Sequence, residues 1–253
     1  MSFIDWIYSQ YPNPSINGQW GWLHILTLVL CITIIVTFSL LFRKKSQKTK
    51  YIVIWALVGI IIAFEISRRV INLCRPQEFT TSSLLYLLLP RPWCAIACWT
   101  LILAVIVNKK FLYNFGAFTA LICALIFFAY PGVGFNNQYI LFENLYSIGT
   151  HSLLLVISIL LMTLGFTKFE YKNIWKEAIC YVIVLAYALL EIYVLKIEAD
   201  PMYFMPNNDV QDILGISYGL YLALYIIFMF VYINMFYLID DRKNVFKRRY
   251  NKK

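Results

Sequence analysis

Residues 213–239 read ILGISYGLYLALYIIFMFVYINMFYLI, 27 positions without an Asp, Glu, Lys or Arg. A soluble domain offers no place to bury every face of such a run, whereas about 20 apolar residues cross a bilayer's hydrocarbon. Six further stretches have the same character: Leu23–Phe42, Tyr51–Ile71, Leu84–Val107, Phe111–Tyr130, Leu145–Phe166 and Ile174–Leu195. The rest of the composition agrees. Of 253 residues 61% are hydrophobic and only 14% charged, against about 25% charged in soluble proteins. A soluble enzyme and a disordered chain are both excluded. The expected fold is an all-α membrane protein with seven transmembrane helices.

The net charge of +9 would suggest nucleic acid in a soluble chain. Here its placement gives a topology instead. Arg43, Lys44, Lys45, Lys48 and Lys50 follow the first stretch; Lys109 and Lys110 follow the third; Lys168, Lys172 and Lys176 follow the fifth. The tail adds Arg242, Lys243, Lys247, Arg248, Arg249, Lys252 and Lys253, so 17 of the 22 basic residues fall on one side. By the positive-inside rule that side is cytoplasmic, which puts the N-terminus outside and the C-terminus inside. Residues 1–22 carry no basic residue and are not read as a signal peptide; Trp6, Trp20 and Trp22 suit an outer interfacial segment. Residues 23–239 form the transmembrane domain and 240–253 a basic cytoplasmic tail. The abundance of Tyr, Phe, Ile, Asn and Lys is compatible with a bacterial plasma membrane protein.

Five basic residues break the rule: Arg68, Arg69, Arg75, Arg91 and Lys196. With Glu65, Glu191, His24, His151 and Cys94 they fall in or beside the outer half of the membrane. Ionisable groups at that depth face a protein interior or water and mark a functional site by default. Helical spacing groups them. Glu65, Arg68 and Arg69 stand at i, i+3 and i+4, Arg91, Cys94 and Cys98 at i, i+3 and i+7, and Asn144, Ser147 and His151 share a third face. Cys94 lies about 10 residues into its stretch, about 15 Å deep. One Glu cannot neutralise two Arg, so a surplus guanidinium with Arg91 suits a phosphate. The plainer alternatives are a structural ion pair at Glu65, a snorkelling Arg75, a packed Cys94 and a polar anchor at His24. The other cysteines show no metal or disulfide spacing.

His24 after Trp22-Leu23, Glu65-x-x-Arg68-Arg69, Leu89-Pro90-Arg91-Pro92-Trp93-Cys94 and His151-Ser152-Leu153 appear in that order. Together they resemble the YwaF-like integral membrane family of bacteria, whose eukaryotic relatives include a transmembrane acyltransferase of ether lysophospholipids. The resemblance covers nearly the whole chain in layout and rests on four short motifs. It implies acyl transfer through a cysteine thioester assisted by histidine. Arg91 and Pro92 stand where the eukaryotic relatives carry Cys and His, while Cys94 matches the bacterial-type cysteine and His151 the second histidine.

The expected activity is therefore acyl transfer from a phospholipid to a lysolipid or lipoprotein acceptor at the outer leaflet. His151 is the expected base and Cys94 the nucleophile. Arg69, Arg68 and Arg91 hold the phosphate, with Glu65, His24 and Glu191 in support. No cofactor, metal or nucleic acid is expected. The competing readings are a non-enzymatic anion- or lipid-binding protein or transporter subunit using the same outer cavity, and a purely structural membrane scaffold.

Overall fold

The computed structural model describes residues 11–12, 20–74, 81–90, 93–130, 135, 139–140, 142–197 and 202–250. The described chain is helical apart from a two-residue antiparallel bridge, β1 (Tyr11–Pro12) with β2 (Tyr139–Ile140). Among the described residues six helices are long and apolar enough to cross a membrane, and a seventh apolar helix is shorter. The contacts divide the chain into two units.

The first unit comprises Met1–Pro90 and Cys94–Thr167. It holds α1 (Trp22–Phe42), α2 (Gln47–Leu73), α3 (Thr81–Leu88), α4 (Trp93–Val107), α5 (Lys110–Ala129) and α6 (Phe142–Thr163). Helix α6 packs against α5, α1 and α2. The core lies on α4, α5 and α6, where Ala97, Cys98, Leu101, Ala104, Val105, Phe115, Phe118, Leu154, Ile157 and Leu160 are buried. Helix α1 is the opposite case. Ile25, Leu26, Val29, Leu30, Ile32, Val36, Leu40 and Leu41 are all exposed, and only His24 and Cys31 are buried. A helix apolar all round yet bare on most faces is suited to lipid rather than water.

Two ties fix the direction of α2. At its start Lys50 Nζ donates to the Leu164 carbonyl just past α6 (3.1 Å), and Tyr51 Oη donates to the Val105 carbonyl near the end of α4 (2.8 Å). At its other end Glu65 meets the early turns of α4 and α6 through Trp99 and Tyr146. Helix α2 thus runs antiparallel to both. Seven of this unit's ten basic residues, Arg43, Lys44, Lys45, Lys48, Lys50, Lys109 and Lys110, lie in or beside the short connections 43–46 and 108–109, at the end of the unit marked by Lys50, Val105 and Leu164. Ser46 opens α2 as its N-cap, accepting from the Thr49 amide at 3.2 Å.

The expected third span is broken. Helix α3 stops at Leu88 and α4 starts only at Trp93. Pro90 has no N–H to continue the ladder, and a proline disfavours helical backbone in the residue before it. Helix α4 has 15 residues, a rise of about 22 Å, less than the ~30 Å hydrocarbon core. Cys94 is consequently the second residue of a helix, not ten residues inside one. Arg91, expected to share a face with Cys94 and Cys98, lies outside the described residues.

The second unit comprises Arg91–Trp93 and Lys168–Lys253. It holds α7 (Ile174–Leu189), α8 (Asp209–Leu214) and α9 (Tyr218–Tyr250). The expected last span is also shortened at its start. Gly215 closes α8 in the left-handed region (φ 63°), a conformation open to glycine at little cost, and α9 begins three residues later. At Leu190–Val194 α7 widens into a π-turn that carries Glu191. Three tyrosines of α9 strap the preceding segment. Tyr218 Oη donates to the Phe204 carbonyl (3.0 Å), Tyr225 Oη to that of Met202 (3.2 Å), and Tyr221 Oη to that of Tyr203.

The entry to α7 is held from outside. The carboxylate of Asp240 accepts the Phe169 amide (2.7 Å) and that of Asp241 the Tyr171 amide (3.1 Å). Lys168 lies 2.6 Å from Glu170, and this hydrogen bond holds the Glu170 carboxyl below its ordinary range. Asp240→Ala is expected to speed hydrogen exchange at the Phe169 amide roughly tenfold, the equivalent of about 1.4 kcal/mol for one charge-assisted bond at a part-buried site. Exchange mass spectrometry of the peptide spanning 166–173 reads this directly.

Candidate functional site

Three residues expected from the sequence come together on the last turns of α2. Glu65 and Arg69, at i and i+4, form an ion pair of 2.6 Å between Oε2 and Nη1, with side chains only 2% and 12% exposed. Burial of that degree makes the pair obligatory, since either charge alone is costly away from water. Arg69 is locked further. Its Nη1 also donates to the Glu65 carbonyl (2.9 Å), and its Nε donates to the Leu88 carbonyl (3.3 Å). Leu88 is the last residue of α3, where the proline break leaves carbonyls without helical partners. The sequence feature that breaks the span thus supplies an acceptor for the arginine.

Two residues not expected at the site complete it. Trp99 Nε1 donates to Glu65 Oε2 at 3.2 Å, and Tyr146 Oη donates to Glu65 Oε1. Each ring also covers one guanidinium. The Arg69 Cζ lies 5.5 Å from the Trp99 ring centroid, and the Arg68 Cζ lies 5.3 Å from that of Tyr146. Both separations are in the range of cation–π attraction. The four side chains therefore surround one carboxylate, but unequally. Arg69 is paired with Glu65 and Arg68 is not. The Nε of Arg68 and the Nη2 of Arg69 are buried with no hydrogen-bond partner among the described residues. A buried N–H without a partner is costly, and two on adjacent arginines point to an absent acceptor.

Tyr146 and Trp99 escape sequence reasoning because an aromatic within an apolar span reads as ordinary packing or lipid-facing surface. The available signal is their polar tips, which seek a hydrogen-bond partner away from water.

His151 lies on α6, one side of its ring stacked on Phe127 with centroids 3.9 Å apart and planes 7° from parallel. Its Nδ1 lies 2.7 Å from the Ser147 carbonyl oxygen. A carbonyl only accepts, so Nδ1 carries the proton and, in the neutral ring, Nε2 keeps its lone pair. Ser147 and His151 share a face as their spacing implies. Cys94 is a free, partly buried thiol within electrostatic reach of Arg68 and Glu65. Among the described residues no hydrogen bond joins Cys94 to His151.

His24 is fully buried and not an interfacial anchor. Its ring sits among Trp20 (4.6 Å), Phe135 (4.8 Å) and Phe128 (5.9 Å). The neighbouring residues Phe127 and Phe128 on α5 thereby each carry one of the two histidines. Glu191 belongs to the second unit, where it is buried and accepts from Tyr187 Oη at 2.7 Å. Arg91 and Arg75 lie outside the described residues. All six cysteines are free, and the described residues contain no group of His, Cys, Asp and Glu able to hold a metal ion.

A family model matches residues 19–240, a stretch that takes in His24, the Glu65 cluster, Cys94 and His151. No curated protein and no solved structure matches the chain. The motif resemblance pointed to a YwaF-like family; the match over most of the chain is to a membrane protein family under another description, and on that match this chain belongs to the TMEM164 family.

Proposed function

We propose that the protein is a membrane-embedded acyltransferase that moves a fatty acyl chain from a phospholipid to a lysolipid or lipoprotein acceptor at the outer leaflet. The observation that carries this reading is the pair of unpartnered, buried N–H donors on Arg68 and Arg69. They suit a phosphate oxygen, and the thiol of Cys94 is within electrostatic reach of the same cluster. The basic connections gathered at the other end of the first unit support a cytoplasmic assignment for that end and an outward one for the Glu65 end.

The chemistry balances with this chain's own groups. His151 Nε2 takes the Cys94 proton as the sulfur attacks the ester carbonyl carbon. The ester C–O bond breaks, a thioester forms, and the lysophospholipid oxygen leaves with that proton. The acceptor hydroxyl or amine then attacks the thioester, its proton passes to Nε2, and the thiol is restored. Arg68 and Arg69 hold the donor phosphate, and Glu65 orients Arg69.

One observation favours a non-enzymatic lipid- or anion-binding role instead. His151 is committed to Ser147 and Phe127, and among the described residues no hydrogen bond links it to Cys94. In proteoliposomes containing a phospholipid labelled in its acyl chain, the acyltransferase reading predicts transfer by the native chain and none by Cys94→Ala. Equal transfer by the two would eliminate the thioester route. Absence of transfer by the native chain, with phospholipid still bound in an Arg68-dependent way, would establish the binding role.

A further inference from the structure

Glu65 and Arg68 are one helical turn apart, spaced to form an ion pair, and they do not form one. The cause lies in the neighbours of the carboxylate. Tyr146 Oη occupies Glu65 Oε1, while the ring of the same residue lies 5.3 Å from the Arg68 guanidinium carbon. The other carboxylate oxygen already accepts from Arg69 and from Trp99. Gly149 lies one turn along α6 from Tyr146. A Cβ there would fall 2.7 Å from the Phe64 ring, so the glycine lets α6 approach α2 this closely without displacing that ring.

We propose that Tyr146 is a positioning residue that keeps Arg68 out of the Glu65 ion pair and so holds its N–H donors open for the phosphate of a lipid headgroup. The inference rests on the headgroup reading of this site and adds a device to it. A carboxylate beside two arginines would ordinarily bind both, and the site would then have little left for a ligand. The phenol satisfies Oε1 without using an arginine, and its ring gives the unpaired guanidinium a face to rest on. Arg68 stays charged and in place, and one positive charge remains uncompensated within Glu65, Arg68 and Arg69.

Tyr146→Phe keeps the ring and removes only the hydroxyl. Glu65 Oε1 then lacks its donor, and Arg68 is the nearest cation able to turn onto it. The variant is expected to fold as well as the native chain yet bind the headgroup at least ~10-fold more weakly, as Arg68→Gln does, the size of one lost charge-assisted contact. In the double variant Tyr146→Phe, Arg68→Gln the loss is expected to be no larger than that of Arg68→Gln alone, because the phenol acts through Arg68.

The full chain in detergent, titrated calorimetrically with dihexanoyl phosphatidylglycerol, gives the affinities, and thermal unfolding of the same samples gives stability. Weak binding by Tyr146→Phe and no further loss in the double variant beyond that of Arg68→Gln support the positioning role. Native affinity in Tyr146→Phe, while Arg68→Gln is weakened, overturns it and leaves the headgroup site standing. Additive losses in the double variant also overturn it, since damaged packing would weaken binding whether or not Arg68 is present. If the native chain does not bind, or Arg68→Gln binds as tightly as native, the headgroup reading itself falls.

Discussion

Glu65→Leu is expected to destabilise the protein by about 3–5 kcal/mol, measured as a lower thermal or denaturant midpoint in detergent, because it strands a buried guanidinium. Arg69 is 12% exposed and holds its place through Glu65 Oε2 and the Glu65 and Leu88 carbonyls. Removing the carboxylate leaves Arg69 two neutral acceptors and no counter-charge, while Tyr146 Oη and Trp99 Nε1 lose theirs altogether. Arg69→Leu should cost a similar amount by stranding the carboxylate. The double variant Glu65→Leu, Arg69→Leu is expected to recover much of the loss, since removing both charges together also removes the desolvation penalty. Additive losses in the double variant would show that the pair is not coupled as its 2.6 Å separation implies.

Gly149→Leu is the second large effect, and it acts through packing. The substituted Cβ would meet Phe64 Cε2 at 2.7 Å and Cζ at 3.3 Å, distances that ordinary packing does not tolerate. Helices α2 and α6 must separate or Phe64 must turn, at a cost of about 1–3 kcal/mol. Phe64 adjoins Glu65, and its ring lies 6.1 Å from that of Tyr146, so the strain is delivered to the site. Headgroup affinity should therefore fall together with stability. Gly59→Leu, where nothing lies within 4 Å of the added Cβ, should leave both close to native. Equal behaviour of the two variants would show that α2 and α6 do not approach as closely as these distances imply.

Long uncharged runs and one-sided basic loops make the helical membrane architecture legible in the amino-acid sequence. Charge in an apolar helix is rare enough to stand out, so Glu65, Arg68 and Arg69 are legible too, and their i, i+3, i+4 spacing places them on one face. What spacing does not carry is contact between helices. Trp99 and Tyr146 lie 34 and 81 positions from Glu65, beyond any helical period. Cys94 is misplaced by hydropathy for a different reason. The apolar run passes straight through Leu84–Val107, whereas the backbone is stopped by Pro90, so depth counted in helical residues follows a helix that does not exist. The proline is visible in the sequence, and its effect outweighs the continuity of the apolar run around it. The same holds for Gly215, which ends α8 inside the uncharged 213–239 run. His24 shows the converse. Its place near a helix start reads as interfacial, and only the packing of Trp20, Phe128 and Phe135 around it reveals burial.

The central claim is that Arg68 and Arg69 bind the phosphate of a membrane lipid beside Cys94. Its most direct measurement is the density of the native chain determined in phospholipid nanodiscs. The account predicts a lipid whose phosphate oxygens lie within hydrogen-bond distance of Arg68 Nε and Arg69 Nη2, with Glu65 still held by Arg69, Trp99 and Tyr146. A map in which Arg68 is instead bonded to Glu65, with lipid headgroups ordered elsewhere and none at this cluster, would contradict it.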